Sequence, residues 1–334
     1  MPFAVISRPM WYIAPPMLMH KNRSLVTSVS VAFAFAGLLS SALAGCRCSR
    51  LTGEADDLAF TRCAQVAPPK ERNLRTAQLE LSVQDRVLSI KAPVGLRVAA
   101  FTGPVGTPLA RGDVSLLAAQ KPGLIFLLGG IGDDVGAASA NLAALSALRV
   151  PTLFIAGGAD RLPVIEEAFD SLDTDTGELM MHASGLREVR LGKERLAVVS
   201  GSPLGRYAVD ADACGFGQAD LDELREAFSG ASRSGRTWLL SWGAPSGWGI
   251  SSAAGAEVGS PELFALAQAL SAQGGLFAYP ETQVGMAVRD AKRSGEAIVV
   301  PRLGRAGASR ADGGRVPSSV RMLVLTPDGL VPGP

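Results

Sequence analysis

The chain has 334 residues, with 32 Lys and Arg against 31 Asp and Glu. Its formal net charge of +1 lacks the basic excess with which a nucleic-acid binder grips phosphates. With 47% apolar and 19% charged residues it has the material for a sizeable core, and two histidines, His20 and His182, exclude a histidine-rich active site.

Residues 1–18 hold Pro2, Pro9, Pro15 and Pro16 and read as a mis-assigned start upstream of Met17 or Met19. Lys21 and Arg23 then precede an uncharged apolar run, Leu25 to Leu39. Leu43-Ala44-Gly45-Cys46 resembles the bacterial lipoprotein signal, in which the Cys is diacylated and becomes the new N-terminus. Residues 1–45 are therefore expected as a signal peptide and Cys46 as the lipidation site. The alternatives are an uncleaved anchor or plain secretion. The run is shorter and richer in Ser and Ala than a good membrane-spanning helix. Removing residues 1–45 leaves 29 basic against 31 acidic residues, so nothing points to a polyanion partner. Arg47 is not the Asp that favours inner-membrane retention in enteric bacteria, which favours an outer-membrane or periplasmic-side location.

Export would place Cys48, Cys63 and Cys214 in an oxidising compartment. Three is odd, so at most one disulfide forms, either Cys48–Cys63 or Cys63–Cys214. Neither spacing resembles a zinc site.

Residues 46–76 are polar and irregular and read as a tether, leaving 77–334 as one domain. Leu79, Leu81 and Val83 alternate with polar residues, and Val87, Leu88 and Ile90 follow, as in an antiparallel pair. Short apolar runs then recur at Leu96–Phe101, Leu124–Leu128, Pro151–Ile155, Leu196–Val199, Trp238–Leu240, Leu276–Tyr279 and Ala297–Val300. Strands buried on both faces have this signature. Helical periodicity marks Ala137–Leu148, Leu162–Leu172, Ala219–Phe228 and Pro261–Ala272, and Gly192-Lys193 marks a hairpin. Stretch 303–319, rich in Gly, Ser and Arg, reads as a loop. Alternating strands and helices with interposed hairpins predict an α/β fold with mixed sheets flanked by helices.

In such folds the reactive groups gather at the carboxyl ends of strands. Those ends read Thr102-Gly103-Pro104-Val105, Gly129-Gly130-Ile131-Gly132-Asp133-Asp134, Gly157-Gly158-Ala159-Asp160, Trp242-Gly243 and Tyr279-Pro280-Glu281. The ordered series, over roughly 95–330, resembles the calcineurin-like metallophosphoesterases. That resemblance implies their α/β sandwich. It also implies a site where Asp-x-His, Gly-Asp, Gly-Asn-His-Asp/Glu, a lone His and Gly-His-x-His bind two metals that activate water. Set on that pattern, Gly103, Val105, Gly130, Gly158, Trp242 and Tyr279 stand at ligand positions, and only Glu281 offers a good donor. The expectation is a degenerate site without catalytic residues or cofactor, in a domain that binds an envelope protein or glycan. Asp160, Trp242, Tyr279 and Glu281 are the candidate ligand-binding residues. The alternative is a residual phosphoesterase holding one divalent metal on carboxylates such as Asp160 and Glu281.

Asp133, Asp134, Asp160 and Glu281 could share a rim and hold one Mg²⁺ or Ca²⁺, but helix caps and solvated loop carboxylates explain them better. Gly130-x-Gly132 misses the third glycine of the dinucleotide fingerprint and reads as a tight strand-to-helix turn. His182 reads as a surface or satisfied core histidine, and no Gly-x-Ser-x-Gly elbow accompanies it. Trp238, Trp242 and Trp248 fall within eleven residues. With Tyr279 they would either plug the space left by lost ligands or form a shallow aromatic platform.

Overall fold

Whether a strand is buried on one face or two decides what its neighbours must be, and here most strands are buried on both. The computed structural model describes residues 62–104, 107–172, 177–203, 213–229, 235–253, 256–279, 287–289, 296–303 and 320–333. One mixed sheet has nine strands: β1 (Arg72–Arg75), β2 (Glu80–Gln84), β3 (Val87–Lys91), β8 (Glu188–Leu191), β9 (Glu194–Val199), β12 (Arg236–Gly243), β15 (Gly274–Tyr279), β17 (Glu296–Val299) and β16 (Ala287–Arg289), in that spatial order. The other has six: β19 (Gly329–Pro332), β18 (Arg321–Thr326), β4 (Arg97–Phe101), β5 (Leu124–Leu128), β6 (Thr152–Ile155) and β7 (Met180–His182). Two short pairs, β10 (Ser202–Pro203) with β11 (Gly215–Phe216) and β13 (Ser252–Ala253) with β14 (Ala256–Glu257), complete the strands described.

Side-chain alternation sorts each strand's residues between two cores. Val98, Phe126, Leu128, Leu196, Val198 and Leu240 meet between the two sheets. Their neighbours Ala99, Ile125 and Leu127 face away, against helices α1 (Arg111–Ala119), α2 (Val135–Ser146) and α3 (Leu162–Asp170). Ala197, Val199 and Leu239 do the same on the other sheet, against α4 (Gln218–Ser229) and α5 (Pro261–Ala269). The result is four layers, helix–sheet–sheet–helix, and the continuous apolar runs exist because both faces of the central strands are covered.

The expected hairpins form. β2 and β3 are antiparallel across Asp85-Arg86, both with positive φ (48° and 62°), as a two-residue type I′ turn requires. β8 and β9 are joined by Gly192-Lys193, with Gly192 at φ 61°. All seven apolar runs are strands and all four periodic segments are helices.

Three features depart from the sequence reading. Residues 62–76, expected as the end of the tether, belong to the domain: β1 pairs with β2, and the Arg62 guanidinium holds Asp220 of α4. This edge strand shows only a half-buried, half-exposed alternation, which polar residues satisfy. Helix α1 was not anticipated, because Leu117 is its only buried apolar side chain. The hairpin β18–β19 adds two antiparallel strands beside β4. Of stretch 303–319, residues 304–319 lie outside the described residues, as does the whole of 1–61 with Cys46 and Cys48.

Candidate functional site

The parallel strands β4, β5 and β6 of one sheet and β12 and β15 of the other end at the same place, and their loops meet there. After β4, the Gly103 N–H donates to the Gly129 carbonyl at 2.9 Å, and the Thr102 hydroxyl donates to the same oxygen at 3.1 Å. Gly103 and Gly130 lie backbone to backbone. A Cβ on Gly103 would collide with the Gly130 carbonyl, and one on Gly130 with the Gly103 carbonyl. After β6, a Cβ on Gly157 would stand 2.5 Å from Trp242 Cδ1 and 2.7 Å from its Nε1. One on Gly129 would stand 2.7 Å from the same ring. The Trp242 indole thus lies across two bare backbones, and only glycine leaves it room. It also stacks with Tyr279, ring centroids 4.9 Å apart and planes inclined by 17°. The Ala244 N–H, donating to the Tyr279 carbonyl at 2.9 Å, joins their two loops.

Asp160 fastens this cluster from beneath. It is 1% exposed and accepts three backbone N–H bonds: Gly130 at 2.8 Å and Gly157 at 2.7 Å on Oδ2, and Ile131 at 2.9 Å on Oδ1. Burial pushes its carboxyl up to about 6, and the N–H donors hold it down only in part. Its neighbours in sequence terms behave differently. Asp134 caps α2 by accepting the Ala137 N–H at 2.8 Å, and Asp133 is exposed. Among the described residues, no three His, Cys, Asp or Glu side chains form a group that could hold a metal ion. Asp133, Asp134 and Asp160 therefore do not gather as a shared cation rim.

The four-layer order, with loops of both sheets converging at the carboxyl ends of parallel strands, matches the architecture that the loop series implied. A solved crystal structure superposes with a TM-score of 0.52 over 72% of this chain and 98% of its own, at 10% identity. The fold is a mixed α/β sandwich shared with that structure. Two further solved structures align with TM-scores of 0.46 over 72% of this chain. They are TT1561 of Thermus thermophilus, 15% identical and 99% covered, and a dimetal phosphatase from Danio rerio, 12% identical and 96% covered. At these identities the likeness concerns fold alone. No protein-family model matches the sequence, and no curated protein does.

Within this four-layer frame, the structure brings Gly103, Gly130, Trp242 and Tyr279 together, with Asp160 hydrogen-bonded to the same loops and Gly158 buried beside Gly157. Val105 and Glu281 lie outside the described residues. The three neighbouring tryptophans separate. Trp238 is 1% exposed in the core between the sheets, Trp242 is half-buried at the rim, and Trp248 packs edge-on against Phe277 at 5.8 Å. Only Trp242 belongs to the site.

His182 is a half-buried histidine packed among aromatic rings. Its ring lies between Phe154 and Phe169, at 5.5 and 5.3 Å, and its Nε2 meets the Ser184 hydroxyl at 3.0 Å. Burial lowers its pKa to about 4, so it is neutral near pH 7. The same Ser184 oxygen accepts the Ala156 N–H at 2.8 Å, which places His182 behind the site, bracing the β6 end.

Of the two disulfides left open by the sequence, Cys63–Cys214 forms, with Cα atoms 5.0 Å apart. It lies against Gly201, whose N–H donates to the Ala156 carbonyl at 2.7 Å. The segment expected as a tether is thus bonded covalently beside the residue that supports the β6 end. Nothing in the spacing of Cys63, Gly201 and Ser184 signals these supporting roles. The glycine doublets at 129–130 and 157–158 do carry a signal, since paired glycines at two strand ends imply a large group lying on the backbone.

Proposed function

We propose that this chain is a lipid-anchored protein of the bacterial cell envelope whose metallophosphoesterase-like domain binds a partner and does not hydrolyse phosphate esters. The observation that carries the proposal is the closed contact at the loop cluster. Two metal ions need several oxygen or nitrogen donors converging on a cleft. Here Gly103 and Gly130 occupy each other's side-chain space, and the Trp242 indole covers Gly129 and Gly157. Among the described residues, the carboxylate at the centre is Asp160, which has three backbone N–H groups on its two oxygens. The described residues do not fit a two-metal centre. What the cluster offers instead is a half-buried aromatic pair, Trp242 and Tyr279, suited to an envelope protein or glycan. The anchor is supported by Leu43-Ala44-Gly45-Cys46 following an uncharged apolar run.

The test is hydrolysis of nitrophenyl phosphate across several pH values with Mn²⁺ or Zn²⁺ added, together with labelled-palmitate incorporation in the producing bacterium. The proposal expects no turnover above a metal-only control, and label that disappears in Cys46→Ser. Metal-dependent turnover abolished by Glu281→Ala would replace it with the single-metal hydrolase. Label retained in Cys46→Ser would remove the anchor.

A further inference from the structure

Two features of the chain single out one surface: where it leaves the anchor and where its charge lies. Fifteen residues, 47–61, separate the proposed lipid site Cys46 from Arg62, the first described residue of the domain. Even fully extended they reach about 50 Å, close to the diameter of a domain of this length. The leaflet that holds the lipid therefore stays within one domain diameter of Arg62. From Arg62, which holds Asp220 of α4, the chain runs to β1, the terminal strand of the nine-stranded sheet. α4 packs on β9, with Leu221 and Leu224 against Ala197 and Val199. β3, β2 and β1 lie two to four strands farther out, and β1 stands about 19 Å from β9.

The outer face of this wing is polar and open. Leu81, Val83, Leu88 and Ile90 point into the core between the sheets. Alternation puts Arg75, Glu80, Ser82, Ser89 and Lys91 on the opposite face, and none of them is buried. Arg75 and Lys91 are 78% and 84% exposed, and a single carboxylate, Glu80, pairs with both. Arg190 of β8, half exposed, lies beside Ser89 on the same face, and its partner Glu188 is shared with Arg195. The acidic residues of α4 nearest the wing are answered, Asp220 by Arg62 and Glu223 by Arg187. The sequence is polarised in the same sense. Residues 62–91 hold six basic and three acidic residues, whereas 92–334 hold 21 basic and 25 acidic. The positive part of the domain thus comes directly after the tether, and a leaflet rich in anionic lipid carries a negative surface potential.

We propose that the β1–β3 wing docks on anionic phospholipid headgroups of the leaflet holding the anchor, with Arg75, Lys91 and Arg190 on their phosphates. Docking in this form rests on the lipid anchor proposed above, which supplies the proximity. A second copy of the chain fits the wing less well, because antiparallel pairing of β1 with itself sets Arg72 opposite Arg75.

The experiment is amine acetylation of the full lipidated chain on vesicles, with labelling at each lysine read by mass spectrometry. Phosphatidylcholine vesicles are compared with vesicles containing about one-third phosphatidylglycerol. Flotation of the vesicles first reports the anchor, so failure of the anchor and failure of docking are read separately. Lys91 is expected to label at least about tenfold more slowly on the anionic vesicles, since two net charges contribute about fivefold each. Raising salt to about 0.5 M should restore the phosphatidylcholine rate. Lys121, exposed just past α1 in the other helix layer, should label equally on both vesicles. Arg75→Gln with Arg190→Gln should remove the slowing at Lys91. Arg75→Gln alone, at an exposed edge position, should raise the Lys91 rate about fivefold, and it decides the matter if the double variant does not fold. Equal Lys91 rates on the two vesicles, equal slowing of Lys121, or slowing unchanged in Arg75→Gln would overturn the proposal. A chain that does not float overturns the anchor and docking with it.

Discussion

Two buried groups near the candidate site should give opposing pH dependences that hide each other. Asp160 titrates in the folded chain at about 6, against 3.8 when unperturbed. The folded state thus holds this proton more tightly than the unfolded chain, so the group's contribution is complete below pH 3.8 and is lost as pH rises through 6. A shift of about two units corresponds to about 3 kcal/mol. His182 runs the other way. It titrates at about 4 against 6.5, so its contribution is present above 6.5 and is lost as pH falls through 4. That shift again corresponds to about 3 kcal/mol. The pair should therefore nearly cancel between about pH 4 and 7. Replacing one group exposes the other. Relative to the native sequence, His182→Gln should lose stability by about 2–3 kcal/mol as pH rises from about 4 to 7, and Asp160→Asn should lose a similar amount as pH falls across the same range. Asp160→Asn should also be less stable at every pH, because an amide can offer only one oxygen to the three N–H donors. Urea denaturation followed by tryptophan fluorescence, with each variant measured as a difference from the native chain, cancels the other carboxylates. If both variants follow the native chain across the range, or slope in the same direction, the assigned burial of these two groups is wrong.

Gly157→Ala should destabilise the chain by about 1–3 kcal/mol, because the new methyl would enter the Trp242 ring. Combining it with Trp242→Ala should return most of that loss, a coupling that a double-mutant cycle by chemical denaturation reads directly. Removing the Cys63–Cys214 bond, which closes a loop spanning 151 positions, should lower stability by about 3–5 kcal/mol, chiefly through the freedom it gives the unfolded chain. Denaturation of Cys63→Ser checks this, with mass spectrometry confirming a free Cys214.

The strands were legible because burial on both faces leaves no place for polar residues, so Leu124–Leu128 and Pro151–Ile155 advertise themselves. The hairpins were legible from turn chemistry at Gly192 and from alternation on either side of Asp85. β1 was not, because an edge strand with one partner can be built from Arg-Asn-Leu-Arg. Helix α1 was hidden for a similar reason, since a single buried leucine makes no stripe. In the site, the loop order was readable, but the fate of each tryptophan was not. Trp238 and Trp242 point to the same face of β12, and four residues of strand, about 13 Å, separate the core from the rim. Whether Asp160 faces a ligand or its own backbone depends on loop geometry, and the sequence Gly157-Gly158-Ala159-Asp160 is compatible with both. The neutral, aromatic-flanked position of His182 likewise depends on Phe154 and Phe169 meeting across two elements.

Metal stoichiometry tests the account most directly. The purified chain, incubated with excess Mn²⁺ or Zn²⁺ and desalted, would be analysed by inductively coupled plasma mass spectrometry. Glycine loops packed against each other under an indole predict well below one ion per chain. Two ions per chain, lost on Asp160→Asn, would contradict the account and return the site to hydrolytic chemistry.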